Sequence, residues 1–297
     1  MTPALSPPPN TAEASPERQR GGPCDCAAPA PGTAGRLPAV AAKTADVLRT
    51  RFRQAIDAAN PTPPQRKWRL SVFERGLKLA DEIEARLGPL AGRRVLDVGA
   101  AFGGDVAALV SRGATGVAAD KFDHDYDRLL AHLDVGEHLS YTLFDCTRPW
   151  PLPDHSFDVI VSMSVLEIID DLDFWFGELL RVLKPDGLAI VDTGSALRMA
   201  RRDPLFKLPL ISLLPTPWRC WVAAQVFGRR YRFHVARHTF YTAGKFRRYV
   251  APRGFTAEPC KYTDSPFMRR LAGWPLARGW QWLVRRLAWD FIVVRRA

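Results

Sequence analysis

Cysteine is scarce in this 297-residue chain. Its five copies, at 24, 26, 146, 220 and 260, form no CxxC pair and no metal-ligand spacing with the six histidines. That scatter excludes a disulfide framework and reads as reduced thiols with no metal site. Long hydrophobic runs are also missing. The longest charge-free stretch of the C-terminal part, 208–218, contains three prolines and falls far short of the ~20 apolar residues a spanning helix needs. The opening MTPALSPPPN has neither the basic nor the apolar region of a secretory signal. Together these absences lead us to expect a cytoplasmic protein. Acidic residues nearly vanish from the tail. From Arg198 onward there are 21 basic residues against 4 acidic ones, a local charge of +17, whereas the preceding residues carry −6. Two such unlike halves face different partners.

The remaining composition, 47% apolar and 25% charged, is that of an ordinary globular protein. Residues 1–40 hold 9 Pro, 8 Ala and 4 Gly, and no aromatic residue precedes Phe52. Such a segment buries too little to offset its ordering entropy, so a disordered leader is expected. Residues 41–90 read as N-terminal helices, at 44–59 and 65–87, separated by Asn60-Pro61-Thr62-Pro63-Pro64 and stopped by Gly88-Pro89. From 91 to 297 a single α/β domain is expected. Strand candidates at 94–98, 116–119, 141–144, 157–162 and 188–192 alternate with helices at 104–112, 125–133 and 172–183. β-Branched strands separated by helices imply a parallel sheet covered on both faces, with ligands bound along the carboxyl edge. After Asp192 the pattern loosens for about forty residues. It resumes with a helix at 243–251 and strands at 255–262 and 290–295. The stretches 196–240 and 263–289 read as basic, tryptophan-rich insertions.

Chemistry concentrates in VLDVGAAFGGD, Val95 to Asp105. An apolar strand ends in Asp97 and enters a turn with Gly99, Gly103 and Gly104, followed at once by a helix. Glycines allow close approach of a ligand to the backbone, and a helix start offers free N–H groups. Asp120 ends the second strand, 23 residues after Asp97, the spacing of a carboxylate that accepts from ribose hydroxyls and rejects a 2′-phosphate. Asp145 follows the third strand in YTLFDC. Nicotinamide enzymes use the same turn, and their reading stays open on these residues alone.

This ordered set, with LPDHSFDVIVSMSVLEII and ELLRVLKPDGLAIVD after it, resembles the class I S-adenosylmethionine-dependent methyltransferases, in particular the small-molecule branch called methyltransferase type 11. The likeness covers about 93–192 and returns faintly in FYTAGKFRRYVAPRGF and the final FIVV. It implies a Rossmann-like, doubly wound seven-stranded sheet of order 3-2-1-4-5-7-6, the last strand antiparallel, with helices on both faces. It implies S-adenosylmethionine as cofactor. Asp97, Gly99, Ala101 and Gly103 would form the loop under the methionine part. Asp120 would hold the ribose, with Lys121 beside it. Asp145 and Cys146 would meet the adenine, and Ser162 would end the fourth strand beside the sulfonium. Lys184-Pro185-Asp186-Gly187 would turn into strand five. Two departures stand out: Ala101 replaces a usual glycine, and Ile168 follows Val165-Leu166-Glu167 where a histidine is common.

The chain lacks the (Asn/Asp/Ser)-Pro-Pro-(Tyr/Phe) run of adenine and glutamine methylases. A proton acceptor is needed only for a poorly acidic acceptor, and His234, His238 and Tyr241, in RFHVARHTFY, are the weak candidates. Six of the nine tryptophans follow Arg198, and 275–289 forms a basic amphipathic pattern. It suits a lid over the acceptor or peripheral contact with an anionic membrane at the inner surface better than nucleic acid. The expected function is methyl transfer to a small acceptor, apolar or lipid-like. The alternatives are a nicotinamide-dependent oxidoreductase and a noncatalytic nucleoside-binding protein at a membrane.

Overall fold

A computed structural model of the chain describes residues 41–192, 216–228, 243–260 and 291–296, with single positions between 206 and 214. The expected leader, the tryptophan-rich stretch 263–289 and the candidates His234, His238 and Tyr241 lie outside the described residues.

Two helices come first, α1 (Ala41–Ala58) and α2 (Pro63–Leu87). Pro63 and Pro64 sit in the first turn of α2, where a missing N–H costs nothing, and the backbone N–H of Thr62 donates to the Gln65 side chain at 3.0 Å. The strands are β1 (Arg94–Val98), β2 (Thr115–Asp120), β3 (Leu139–Leu143), β4 (Phe157–Ser162), β5 (Leu183–Asp192), β6 (Phe255–Pro259) and β7 (Phe291–Arg296). Between and after them lie α3 (Gly104–Val110), α4 (Tyr126–Leu133), α5 (Leu172–Val182), α6 (Thr216–Gln225) and α7 (Ala243–Val250). The sheet has seven strands in the order β3-β2-β1-β4-β5-β7-β6. β1 to β5 pair in parallel, and β7 runs antiparallel to both β5 and β6. The architecture anticipated from the resemblance is the one observed.

Period-two alternation assigns the two faces. Val95, Val159, Val161, Leu188 and Ile190 pack with Leu79, Ala80 and Ile83 of α2. Leu96, Val98, Ile160, Ala189 and Val191 face Trp175 and Phe176 of α5 and Phe246 of α7. Both sets are buried, so the central strands read as continuous apolar runs rather than alternating ones. Asp97 shares parity with Val95 and therefore turns toward the α2 face.

Three details differ from the sequence reading. Strand three starts earlier, because Leu139 already pairs with Gly116. Lys184-Pro185-Asp186-Gly187 is not a turn leading into strand five. Leu183 pairs with Phe157 and the ladder resumes at Val159 with Leu188, so the four residues bulge within the strand, held by Lys184 Nζ to Asp158 Oδ1 at 2.9 Å. Within the loosened region, Thr216–Gln225 forms a helix that was not anticipated. Pro217 suggests a break there, yet in the first turn it is tolerated.

α2 and α3 meet closely at Gly76. A Cβ built there would lie 2.6 Å from the Ala108 Cβ and 2.8 Å from the Asp105 backbone. Gly76→Ala should therefore push the helices apart and destabilise the fold by about 1–3 kcal/mol. Urea denaturation measures this, and an unchanged midpoint would refute the close contact.

Candidate functional site

The carboxyl ends of β1, β2 and β4 lie side by side, with Asp97 opposite Ala118 and Val161. The loop from β1 to α3 departs from this edge. Gly99 has φ of 77°, and a Cβ on it would lie 2.3 Å from Val165 Cγ2. Gly103 has φ of 65°, with Leu129 2.9 Å from the corresponding point. Both glycines are thus required by the protein's own packing, whatever approaches from outside. Ala101, standing where the family uses glycine, also takes a positive φ, 47°. Its backbone N–H donates to Asp120 Oδ2 at 2.9 Å, which helps hold a conformation unfavourable for an L residue by about 1–2 kcal/mol.

Asp97 is 1% exposed, and its Oδ2 has no hydrogen-bond partner. Burial pushes its carboxyl well up, nearby Asp105 pushes it further, and Arg75 offsets only part of the rise. Asp105, also buried, is raised by burial against the pull of Arg75. The Arg75 guanidinium, coming from α2, grips both Asp105 oxygens, with Nε to Oδ1 at 3.1 Å and the second contact from a terminal nitrogen to Oδ2. Asp97 and Asp192 lie close enough to act on Arg75 as well. Asp192, at the end of β5, accepts from the Ser164 hydroxyl at 3.3 Å, and Ser164 itself has φ of 63°. The floor of the site is therefore acidic, three carboxylates around one arginine, and suited to a cationic ligand group.

Asp120 ties two loops together. Its Oδ2 accepts from Ala101 N–H, its Oδ1 from Phe122 N–H at 3.0 Å, and His124 Nε2 stands 3.5 Å from Oδ1. Burial alone would raise its carboxyl, but His124 and the two N–H groups outweigh this and lower it. A carboxylate has about four lone-pair sites, so acceptor capacity remains for ribose hydroxyls. Asp145 receives Lys121 Nζ at 2.8 Å on one oxygen and the Thr147 N–H and hydroxyl on the other. Against burial, these partners hold its carboxyl at about 2.

Of the residues assigned from sequence, Asp97, Gly99, Ala101, Gly103, Asp120, Lys121 and Asp145 gather at this edge. Lys121 is the counter-ion of Asp145. Cys146 turns partly into the core, its carbonyl accepting from Trp150 Nε1 at 3.1 Å, and burial pushes its thiol up to about 11. The Ser162 hydroxyl is fully buried and donates to the Val98 carbonyl at 3.1 Å, joining β4 to β1. It serves the sheet, leaving only the backbone there to face a ligand. Arg75, Ser164 and Asp192 were not anticipated, and Asp105 stood in the quoted motif without a role. Arg75 has no signature in the sequence, since one arginine beside the buried stripe of a helix looks like any surface cation.

The residues fit S-adenosylmethionine. Asp97 offers an unpartnered, buried carboxylate oxygen for a positively charged amino acid end, and Asp120, on the neighbouring strand, has acceptor capacity for a ribose. The sheet order is the one that the resemblance to class I S-adenosylmethionine-dependent methyltransferases implies. Comparison with known proteins agrees: residues 96–191 match the family model of the methyltransferase domain. Similar curated relatives include the ubiquinone biosynthesis O-methyltransferase of Bartonella bacilliformis, 30% identical over 138 residues, covering 45% of this chain and 52% of that protein. The demethylmenaquinone methyltransferase of Clavibacter sepedonicus is 34% identical over 103 residues, 35% of this chain and 42% of that one. The chain thus spans about half or less of the length of these relatives. Among solved structures, the 1,6-didemethyltoxoflavin-N1-methyltransferase of Burkholderia thailandensis overlays with a TM-score of 0.47 at 15% identity, covering 89% of this chain and 93% of that one.

The state of Asp97 has a measurable consequence. With its carboxyl raised, the folded chain keeps a proton that the unfolded chain has lost, so this residue's contribution makes stability fall as pH rises above about 4. Asp97→Asn should remove that slope and raise neutral-pH stability of the ligand-free protein by roughly 1 kcal/mol or more. It should also weaken S-adenosylhomocysteine at least about tenfold. Thermal melts across pH and calorimetry check both, and lower stability in the variant would contradict the assignment.

Proposed function

We propose that the protein transfers a methyl group from S-adenosylmethionine to a small, lipid-like acceptor, as a cytoplasmic protein in peripheral contact with an anionic membrane surface. The observation that carries the first part is the buried Asp97 oxygen without a partner, beside Asp120 on the neighbouring strand. When bound, the cofactor would supply a sulfonium methyl group, to whose carbon an acceptor lone pair would bond as the carbon–sulfur bond breaks and S-adenosylhomocysteine leaves. The chain's own work is then to place two reactants in line and keep water away, since displacement from a sulfonium needs little other help. In this reading Asp97 holds the ammonium end, Asp120 the ribose hydroxyls and Asp145 the base end. For a hydroxyl acceptor, one of His234, His238 or Tyr241 takes the proton.

Two observations support the acceptor class and the membrane. The relatives named above are, by name, enzymes of ubiquinone biosynthesis and of demethylmenaquinone methylation. In and just after α6, Trp218, Trp221 and Phe227 are 64%, 57% and 53% exposed, within a tail of local charge +17. Tryptophan at an interface and basic groups near anionic lipid favour reversible surface binding. The oxidoreductase alternative has less support, because the match over 96–191 is to a methyltransferase domain.

Asp120→Ala should weaken S-adenosylhomocysteine at least about tenfold, through loss of a charge-assisted acceptor worth roughly 1.5–3 kcal/mol. NAD should give no heat with either protein. Saturable NAD binding, or unchanged S-adenosylhomocysteine affinity in the variant, would reverse the choice of cofactor.

Co-sedimentation with vesicles tests the membrane. Anionic vesicles should pellet the protein at low salt and release it at high salt, as a Debye length of about 8–10 Å or shorter screens the attraction. Neutral vesicles should not pellet it. Replacing Trp218 and Trp221 with alanine should reduce pelleting several-fold. Equal, negligible pelleting with both lipids would remove the membrane from the proposal.

A further inference from the structure

A cleft opens between α1, α2 and α4 beside the glycine loop, and His124 in its lining stands 3.5 Å from Asp120. Ile56 and Leu129 supply apolar walls, and Arg69, Phe102, Asp125 and Arg128 also line it. The Arg69 guanidinium stacks over the Phe102 ring, 3.6 Å from its centroid. Trp68 meets the same ring edge-on at 5.7 Å, fixing it from the other side.

Arg69 differs both from the exposed Arg53 of α1 and from the arginines of α1 and α2 that pair with carboxylates. Arg49, Arg66, Arg75 and Arg86 each pair with a carboxylate. Arg69 makes no hydrogen bond or ion pair among the described residues, and its Nε is buried without a partner. Burial lowers its affinity for its proton, and Arg128 across the cleft lowers it further. Arg128 pairs with Asp125 at 2.8 Å, but that carboxylate is half-exposed and leaves Arg69 unanswered. A guanidinium held over an aromatic ring, with its Nε buried and unpartnered and a second cation in the same cleft, is an arrangement that an anion would complete. Its planar fork matches a carboxylate or phosphate.

We propose that this cleft binds a small organic anion, a carboxylate or phosphate on an apolar body, with Arg69 and Arg128 as its clamp. The apolar body would lie on Ile56 and Leu129, and the anionic head would occupy the space between the two guanidinium groups. The same head chemistry exists on the methionine end of the cofactor, so the test separates a distinct ligand from that source.

Calorimetry on the full chain would compare benzoate with its neutral counterpart benzyl alcohol, each without and with saturating S-adenosylhomocysteine. Benzoate should bind at least about tenfold more tightly than benzyl alcohol, with or without the nucleoside. Arg69→Gln and Arg128→Gln should each lower benzoate affinity about tenfold and leave S-adenosylhomocysteine affinity unchanged. Arg128 is partly exposed, so its variant keeps the test available if Arg69→Gln melts early. The proposal is overturned if benzoate gives no heat, if the two probes bind equally, or if both variants bind benzoate as the parent does. It is likewise overturned if S-adenosylhomocysteine displaces benzoate and Arg69→Gln weakens the nucleoside, which would assign the arginine to the cofactor's carboxylate. The benzoate arm without nucleoside stands whether or not S-adenosylhomocysteine binds, so failure here and failure of the methyltransferase reading are distinguishable.

Discussion

One buried ion pair, Arg75 with Asp105, fixes the geometry on which the rest of the site depends. Asp105 opens α3 and Arg75 lies mid-way along α2, so the pair locks the helix before the sheet to the helix after β1. It forms only because Gly76, the next residue, lets α2 and α3 approach to van der Waals contact. Removing one partner of such a pair leaves a buried charge alone, typically a loss of about 3–5 kcal/mol. The same guanidinium offsets part of the rise that burial imposes on the Asp97 carboxyl. Helix packing and ligand chemistry are therefore one arrangement here.

A second constraint binds the loops of the carboxyl edge to one another. Asp120 accepts N–H groups from the loop after β1 and from the turn after β2, and Lys121 reaches the turn after β3. Three separate connections are thereby held in register before any ligand arrives, the preorganisation that binding and in-line transfer both need. The strained φ values at Ala101 and Ser164 fall in this zone, where surrounding contacts over-determine the backbone.

Charge is distributed to match two different tasks. The floor of the site gathers Asp97, Asp105 and Asp192 around Arg75, complementary to a cation. The cleft beside α4 holds Arg69 and Arg128, complementary to an anion, and α6 carries exposed tryptophans within a basic tail.

The strand order was implied by the family resemblance; the sequence by itself determined a parallel sheet covered on both faces, its carboxyl edge as the candidate place of binding, and the acidic residues near the ends of β1 and β2 and after β3. Those follow from local rules: apolar runs that must be buried on both faces, right-handed crossovers, and glycine at turns that need positive φ. It also placed β1 and β4 at their true bounds, because the apolar run of β1 ends at Gly99 and that of β4 at Ser162. Tertiary structure alone decided which polar groups remain for a ligand. Ser162 looked like a site residue and proved to join β4 to β1 through the Val98 carbonyl. Gly99 and Gly103 looked like room for a cofactor and proved to be room for Val165 and Leu129. Arg75 and Arg69 looked alike in the sequence, yet one pairs with Asp105 and the other, among the described residues, stacks on the face of Phe102 without an ion pair. The reason is physical: a side chain's partners come from segments tens of residues away, and whether a charge is paired or left waiting depends on how those segments pack, which no local pattern encodes.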